Sequence, residues 1–115
     1  MKKLVVGNWK LYINSLAEGK KLLRDIDKKL PRGLRAEVVL CPPVSLMAIL
    51  KASYAGRRIV FGAQDAFWEA AGAHTGQVSP EGLHSLGIEY VILGHSEMRA
   101  LGETNKELCR RNAGA

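Results

Sequence analysis

The sequence predicts an α/β fold in which four parallel strands alternate with helices, a (βα)4 arrangement in one domain over residues 1–115. Two observations carry this. Four short apolar runs, starting near residues 4, 37, 59 and 90, are continuous rather than alternating, as strands buried on both faces require. Between them lie helical stripes with capping residues at their starts and Pro or Gly at their ends. Strands joined through helices run parallel with right-handed crossovers.

The elements follow in order. "LVVG" from Leu4 is the first strand. Ser15 and Glu18 then form an S-x-x-E capping box, and Leu16, Leu23, Ile26 and Leu30 share one helical face until Pro31 and Gly33 stop it. "EVVL" from Glu37 is the second strand, ended by Pro42–Pro43. "VSLMAILKASYAG" is a short helix closed by Gly56. "IVFGA" from Ile59 is the third strand. Ser79 caps the next helix, with Pro80 at its first position and Gly87 as terminator. "YVIL" from Tyr90 is the fourth strand, and Thr104 with Glu107 repeats the capping-box spacing for a last helix that Asn112 and Gly114 end within about three turns. One connection is long: "QDAFWEAAGAHTGQV", residues 64–78, has no periodicity, and loops of that length are functional or disordered. Phe67, Trp68 and Val78 argue against disorder, so the loop is expected to bury itself against something, a partner subunit being one candidate.

Composition narrows the class. The 17 Lys and Arg against 11 Asp and Glu give a net charge of +6, which invites a polyanion or membrane partner. Much of the excess lies in "EGKKLLRDIDKKLPRGLR", interleaved with Glu18, Asp25 and Asp27, which reads as the wet face of a helix. There is no recognition motif or aromatic-basic interleaving, so no nucleic-acid partner is expected. The N-terminal apolar run Leu4–Val6 is too short for a signal peptide, and no run approaches membrane length, so the sequence predicts a soluble cytoplasmic protein. Cys41 and Cys109 form neither a disulfide framework nor a metal-ligand spacing. Cys41, before Pro42, reads as packing.

In sheets of this kind, sites form beyond the carboxyl ends of the strands. There the sequence places Asn8, Trp9 and Lys10 after the first strand, Gln64 and Asp65 after the third, and His95, Ser96 and Glu97 after the fourth. Alternation puts Asn8 and Lys10 on one side. A lysine at a buried mouth wants a partner, and Glu97 is the nearest carboxylate by this reckoning. The bland reading is a structural salt bridge beside a surface asparagine. His95 has a bland reading as well, a histidine bonded into a turn. If the chain after "GH" starts a helical turn, a ring nitrogen accepting from that N-terminus holds the imidazole neutral, ready to donate to a developing enediolate oxygen. His84, in a helix, and His74, in the long loop, read as structural. There is no glycine-rich nucleotide loop.

With "VVGNWK", "CPP", "GAQD", "GAHTGQVSP" and "YVILGHSE" in this order, the chain resembles triosephosphate isomerase along its whole length. "GNWK" with a downstream "GHSE" is the specific part. The resemblance implies half of a TIM (βα)8 barrel, and an activity interconverting dihydroxyacetone phosphate and glyceraldehyde 3-phosphate in glycolysis and gluconeogenesis without metal or cofactor. It implies that Lys10 and Asn8 hold the substrate, that His95 is the electrophile, that Glu97 pairs with Lys10 and that Ser96 supports the site. It also implies a homodimer whose long third loop docks beside the other subunit's site, which makes Phe67, Trp68, Thr75, Gln77 and Met98 interface candidates. At 77 and 98 the family usually has glutamate and arginine that pair across that interface, so the two charges are absent here together.

A full barrel takes about 250 residues, and the resemblance covers four of its eight units. The family's general base, a glutamate on a later loop, its phosphate lid and its later glycine-rich loops have no counterpart in residues 1–115. A natural short product, a fragment and a segment of a longer protein all fit the sequence. Three functions compete: the electrophilic half of an isomerase, a non-catalytic half-barrel that self-associates, and a phosphate-ligand binder without turnover.

Overall fold

A computed structural model describes residues 2–115. Four parallel strands, β1 (Lys3–Asn8), β2 (Ala36–Cys41), β3 (Ile59–Ala63) and β4 (Tyr90–Val91), form one sheet in sequence order. The sheet is a curled half-barrel, the expected (βα)4 unit. Lys3 faces Ala36 and Asn8 faces Cys41 in the first pair, while Gly62 faces Tyr90 in the last.

The helices are α1 (Leu16–Lys29), α2 (Val44–Ser53), α3 (Pro80–Ser85), α4 (Ser96–Ala100) and α5 (Asn105–Gly114). Capping sets their starts. Ser15 Oγ accepts from the Glu18 amide, Ser79 Oγ from the Gly82 amide, and Thr104 with Glu107 makes a complete capping box. The sequence reading named four helices. The fifth, α4, has five residues and no apolar stripe, because its start is written only in the turn at His95.

The core lies between the sheet and α1 and α2. There Met47 and Leu50 are fully buried and Leu23, Leu40 and Phe61 nearly so, while Val39 and Cys41, also fully buried, alternate onto the other face of the sheet. Burial pushes the Cys41 thiol up to about 11, so it is an inert packing group, as its place before Pro42 suggested. Gly62 is required by close approach: a Cβ there would stand 2.8 Å from Cys41 Sγ and 3.2 Å from Tyr90 Cβ.

One strand departs from the expectation of two buried faces. In β1, Leu4, Val5 and Val6 are about half exposed. No described strand pairs with its outer edge, so consecutive residues of both faces meet solvent.

The long loop folds back on its own chain. The Phe67 amide donates to the Val78 carbonyl at 2.8 Å, closing the loop at its base. The Phe67 ring packs 4.0 Å from Trp68 and 4.5 Å from His74, centroid to centroid. Phe67 is thereby buried inside the chain, Trp68 and Met98 are half-buried, and Thr75 and Gln77 remain exposed.

Candidate active site

β1 delivers Asn8 at its last residue and then stops. Trp9 turns into the core, 7% exposed, while its amide donates to the Cys41 carbonyl at 3.0 Å. Lys10 follows with φ +52°, the only positive φ of a non-glycine residue among those described. Strand alternation therefore does not reach position 10. Asn8 and Lys10 do not share a strand face as alternation predicts, because the backbone has already left the strand. What joins the two residues is local: Asn8 Oδ1 accepts from the Lys10 amide at 2.9 Å and holds the turn. A left-handed conformation costs a lysine about 1–2 kcal/mol, and such strain persists where surrounding bonds dictate it.

Gln64, just beyond β3, supplies those bonds. Its Nε2 donates to the Lys10 carbonyl at 2.9 Å and to the Cys41 carbonyl at 3.0 Å, tying the ends of β1 and β2 to β3. The sequence placed Gln64 at this end of the sheet without giving it a task. The register that brings two carbonyls within reach of one amide is not written in any motif.

At β4 the chain passes through Gly94, with φ +67°, into His95, the N-cap of α4. His95 Nδ1 accepts from the Glu97 amide at 3.1 Å. A ring nitrogen that accepts carries no proton, so the neutral ring holds its proton on Nε2 and presents an N–H donor away from the helix. The helical turn expected after "GH" is present. With Nδ1 so engaged, the 3.5 Å approach of Glu97 Oε2 to Nδ1 is proximity rather than an ion pair.

Glu97 also faces the other way. Its Oε1 lies 2.9 Å from Lys10 Nζ, making the pair that the sequence reading anticipated. The hydrogen bond to Glu97 holds the Lys10 ammonium above its usual pKa, and the same bond holds the Glu97 carboxyl below the usual carboxylate range. The side chains are 38% and 57% exposed, so the contact orients the charge more than it stabilises the fold. Ser96 is exposed in the first turn of α4, between His95 and Glu97 in sequence.

The mouth of the half-barrel thus gathers an amide, an ammonium, an imidazole with a free N–H direction and a carboxylate occupied by the ammonium. Among the described residues no three His, Cys, Asp or Glu side chains assemble to hold a metal, and no helix is long and apolar enough to cross a membrane.

Parallel strands in sequence order, with polar residues converging beyond their carboxyl ends, define the class of (βα)-barrel proteins, here four of the eight units. The family model of triosephosphate isomerase matches residues 3–115, and the chain belongs to that family. It is similar to the triosephosphate isomerase of Moorella thermoacetica, 45% identical over 103 residues, which is 89% of this chain and 41% of the relative. With that of Clostridium novyi it shares 41% over 112 residues, 96% of this chain and 44% of the relative. With that of Synechococcus sp. the figure is 39% over 118 residues, 97% and 47%. The chain spans less than half the length of these relatives.

Proposed function

We propose that residues 1–115 carry the electrophilic half of a triosephosphate-isomerising pocket. The observation that carries it is the double engagement of Glu97. Its amide fixes His95 as an Nε2–H donor, and its carboxylate holds the Lys10 ammonium at the same turn. Lys10 offers positive charge to the substrate's phosphate and to the oxygen that gains charge as an enediolate forms. Asn8 orients the substrate, Ser96 supports the first turn of α4, and His95 donates to and recovers a proton from the two substrate oxygens.

The carbon-bound proton needs a base. Glu97 is a poor one, because its carboxylate is held by Lys10. On this reading the base comes from outside residues 1–115, and the chain alone has essentially no turnover. The substrate is a small phosphorylated triose, the setting is glycolysis and gluconeogenesis in the cytoplasm, and neither metal nor cofactor is used. Thr75 and Gln77, with Trp68 and Phe67 of the same loop and with Met98, form the homodimer face. If so, Gln77→Glu together with Met98→Arg slows dimer dissociation relative to either single change.

A chimera tests the proposal. Residues 1–115 replace the corresponding half of the Moorella thermoacetica enzyme, alone and with His95→Gln or Lys10→Met. The expected result is isomerase turnover that falls by about 10²–10⁴-fold with His95→Gln, as for removal of a general acid–base group. A folded chimera without turnover, or full activity in the His95→Gln form, contradicts it.

The half-exposed Leu4, Val5 and Val6 of β1 favour a second reading, a non-catalytic half-barrel that pairs with another copy through its open edges. Light scattering across size-exclusion tests this second reading: a monomer at all concentrations removes it.

A further inference from the structure

Arg111 of α5 is a charged side chain enclosed by the core, 8% exposed. Its Nη1 donates to the Ala66 carbonyl at 2.6 Å and lies 3.7 Å from Asp65 Oδ2, both at the start of the long loop. Its Nε lies 3.0 Å from Glu103 Oε2, in the turn between α4 and α5, where the glutamate side chain is 3% exposed. The guanidinium stands 5.2 Å from the Trp68 ring and 5.9 Å from the Phe67 ring. One buried cation therefore meets the end of β3, the long loop and the turn beyond α4.

The cluster is not an optimised stability device. It holds two carboxylates to one guanidinium, and Asp65 Oδ1, both Glu103 oxygens and Arg111 Nε have no well-angled hydrogen bond. Buried charge of this kind is weak evidence for stability, and its attested use is to fix one arrangement over others. The arrangement leads to the mouth. The Glu103 amide donates to the Met98 carbonyl at 3.2 Å, and the Met98 amide donates to the His95 carbonyl at 2.9 Å. Independently, α5 presses on the turn before His95, where a Cβ on Gly94 would stand 2.8 Å from Leu108.

We propose that Arg111 is a positioning residue that locks the long loop after β3 and the α4 turn presenting His95 and Glu97 into one unit. Its meaning for catalysis rests on the role assigned to His95 above, but the coupling is a property of the 115-residue polypeptide and is measured without substrate. The experiment compares 15N spectra of the wild type with Arg111→Met, Arg111→Lys and Glu103→Gln, reading the Trp68 indole N–H and the His95 imidazole nitrogens. Arg111→Met is expected to shift the indole signal and to replace the fixed Nε2–H pattern of His95 with averaged tautomer values. Arg111→Lys keeps the charge but loses the planar fork, and is expected to move both signals less. Glu103→Gln, which touches only the α4 side, is expected to move His95 more than Trp68. Should Arg111→Met fail to fold, the other two variants decide. Movement of Trp68 with His95 unchanged in every folded variant, or no movement of either, overturns the proposal. A wild type that fails to bind a triose-phosphate analogue bears on the proposed function and leaves these spectra intact.

Discussion

Lys10 Nζ stands 2.9 Å from Glu97 Oε1, so the turn after β1 and the first turn of α4 are joined across the half-barrel mouth by one ion pair. Each partner shifts the other, the ammonium up from 10.5 and the carboxyl down from 4.5. A depressed carboxyl contributes stability that is present above its unfolded value and is lost as pH falls through the folded one. A raised ammonium contributes stability that is present below its unfolded value and is lost as pH rises through the folded one. The gap in denaturation midpoint between wild type and Lys10→Met is therefore expected to be level between pH 4.5 and 10.5 and to close at both ends. A gap that widens in acid would assign the wrong sign to Glu97.

Lys10 holds a left-handed backbone with a side chain that disfavours it. Glycine carries no such penalty, at the cost of a floppier unfolded chain. Lys10→Gly and Lys10→Met both lack the ammonium, so their difference reports the backbone. Lys10→Gly is expected to be the more stable by about 1 kcal/mol. Equal urea midpoints would show that the turn is not strained.

Gln64 braces two strand ends through one amide. Gln64→Ala is expected to cost about 1–2 kcal/mol, as for loss of two neutral bonds of which one carbonyl keeps another donor, Trp9. Lys10 amide exchange should quicken in the same variant. A midpoint within error of wild type would make the brace incidental.

The His95 ring caps α4 through Nδ1. His95→Ala is expected to lose about 0.5–2 kcal/mol as other N-cap deletions do, with the Glu97 amide losing protection first. His95→Asn, which can still cap, should recover most of it. Equal losses in both variants would remove the cap from the account.

Much of this is legible in the sequence. Continuous apolar runs announced β2 and β3 because parallel strands between two layers need nothing else, and Ser15, Ser79 and Thr104 announced helix starts by their capping chemistry. The same logic misjudged β1, since a run such as Leu4–Val6 reads alike whether its neighbours are present or not. The turn at His95 was legible because His95 and Glu97 stand two residues apart after Gly94, and the Lys10–Glu97 pair because a cation at that mouth wants a carboxylate. Three features were not legible. The left-handed turn at Lys10 carries no glycine to signal it. The brace from Gln64 depends on strand register. Arg111 is buried by tertiary packing, against the habit of its residue type.

The central claim is that Lys10 and His95 form one anion-binding, proton-donating mouth. The direct measurement is an NMR titration of the 115-residue polypeptide with 2-phosphoglycolate, following the Lys10 ammonium and the His95 imidazole together. The account predicts that both move along a single binding curve and that Lys10→Met abolishes the response at His95. Movement of His95 in that variant as in wild type, or separate curves for the two groups, would contradict it.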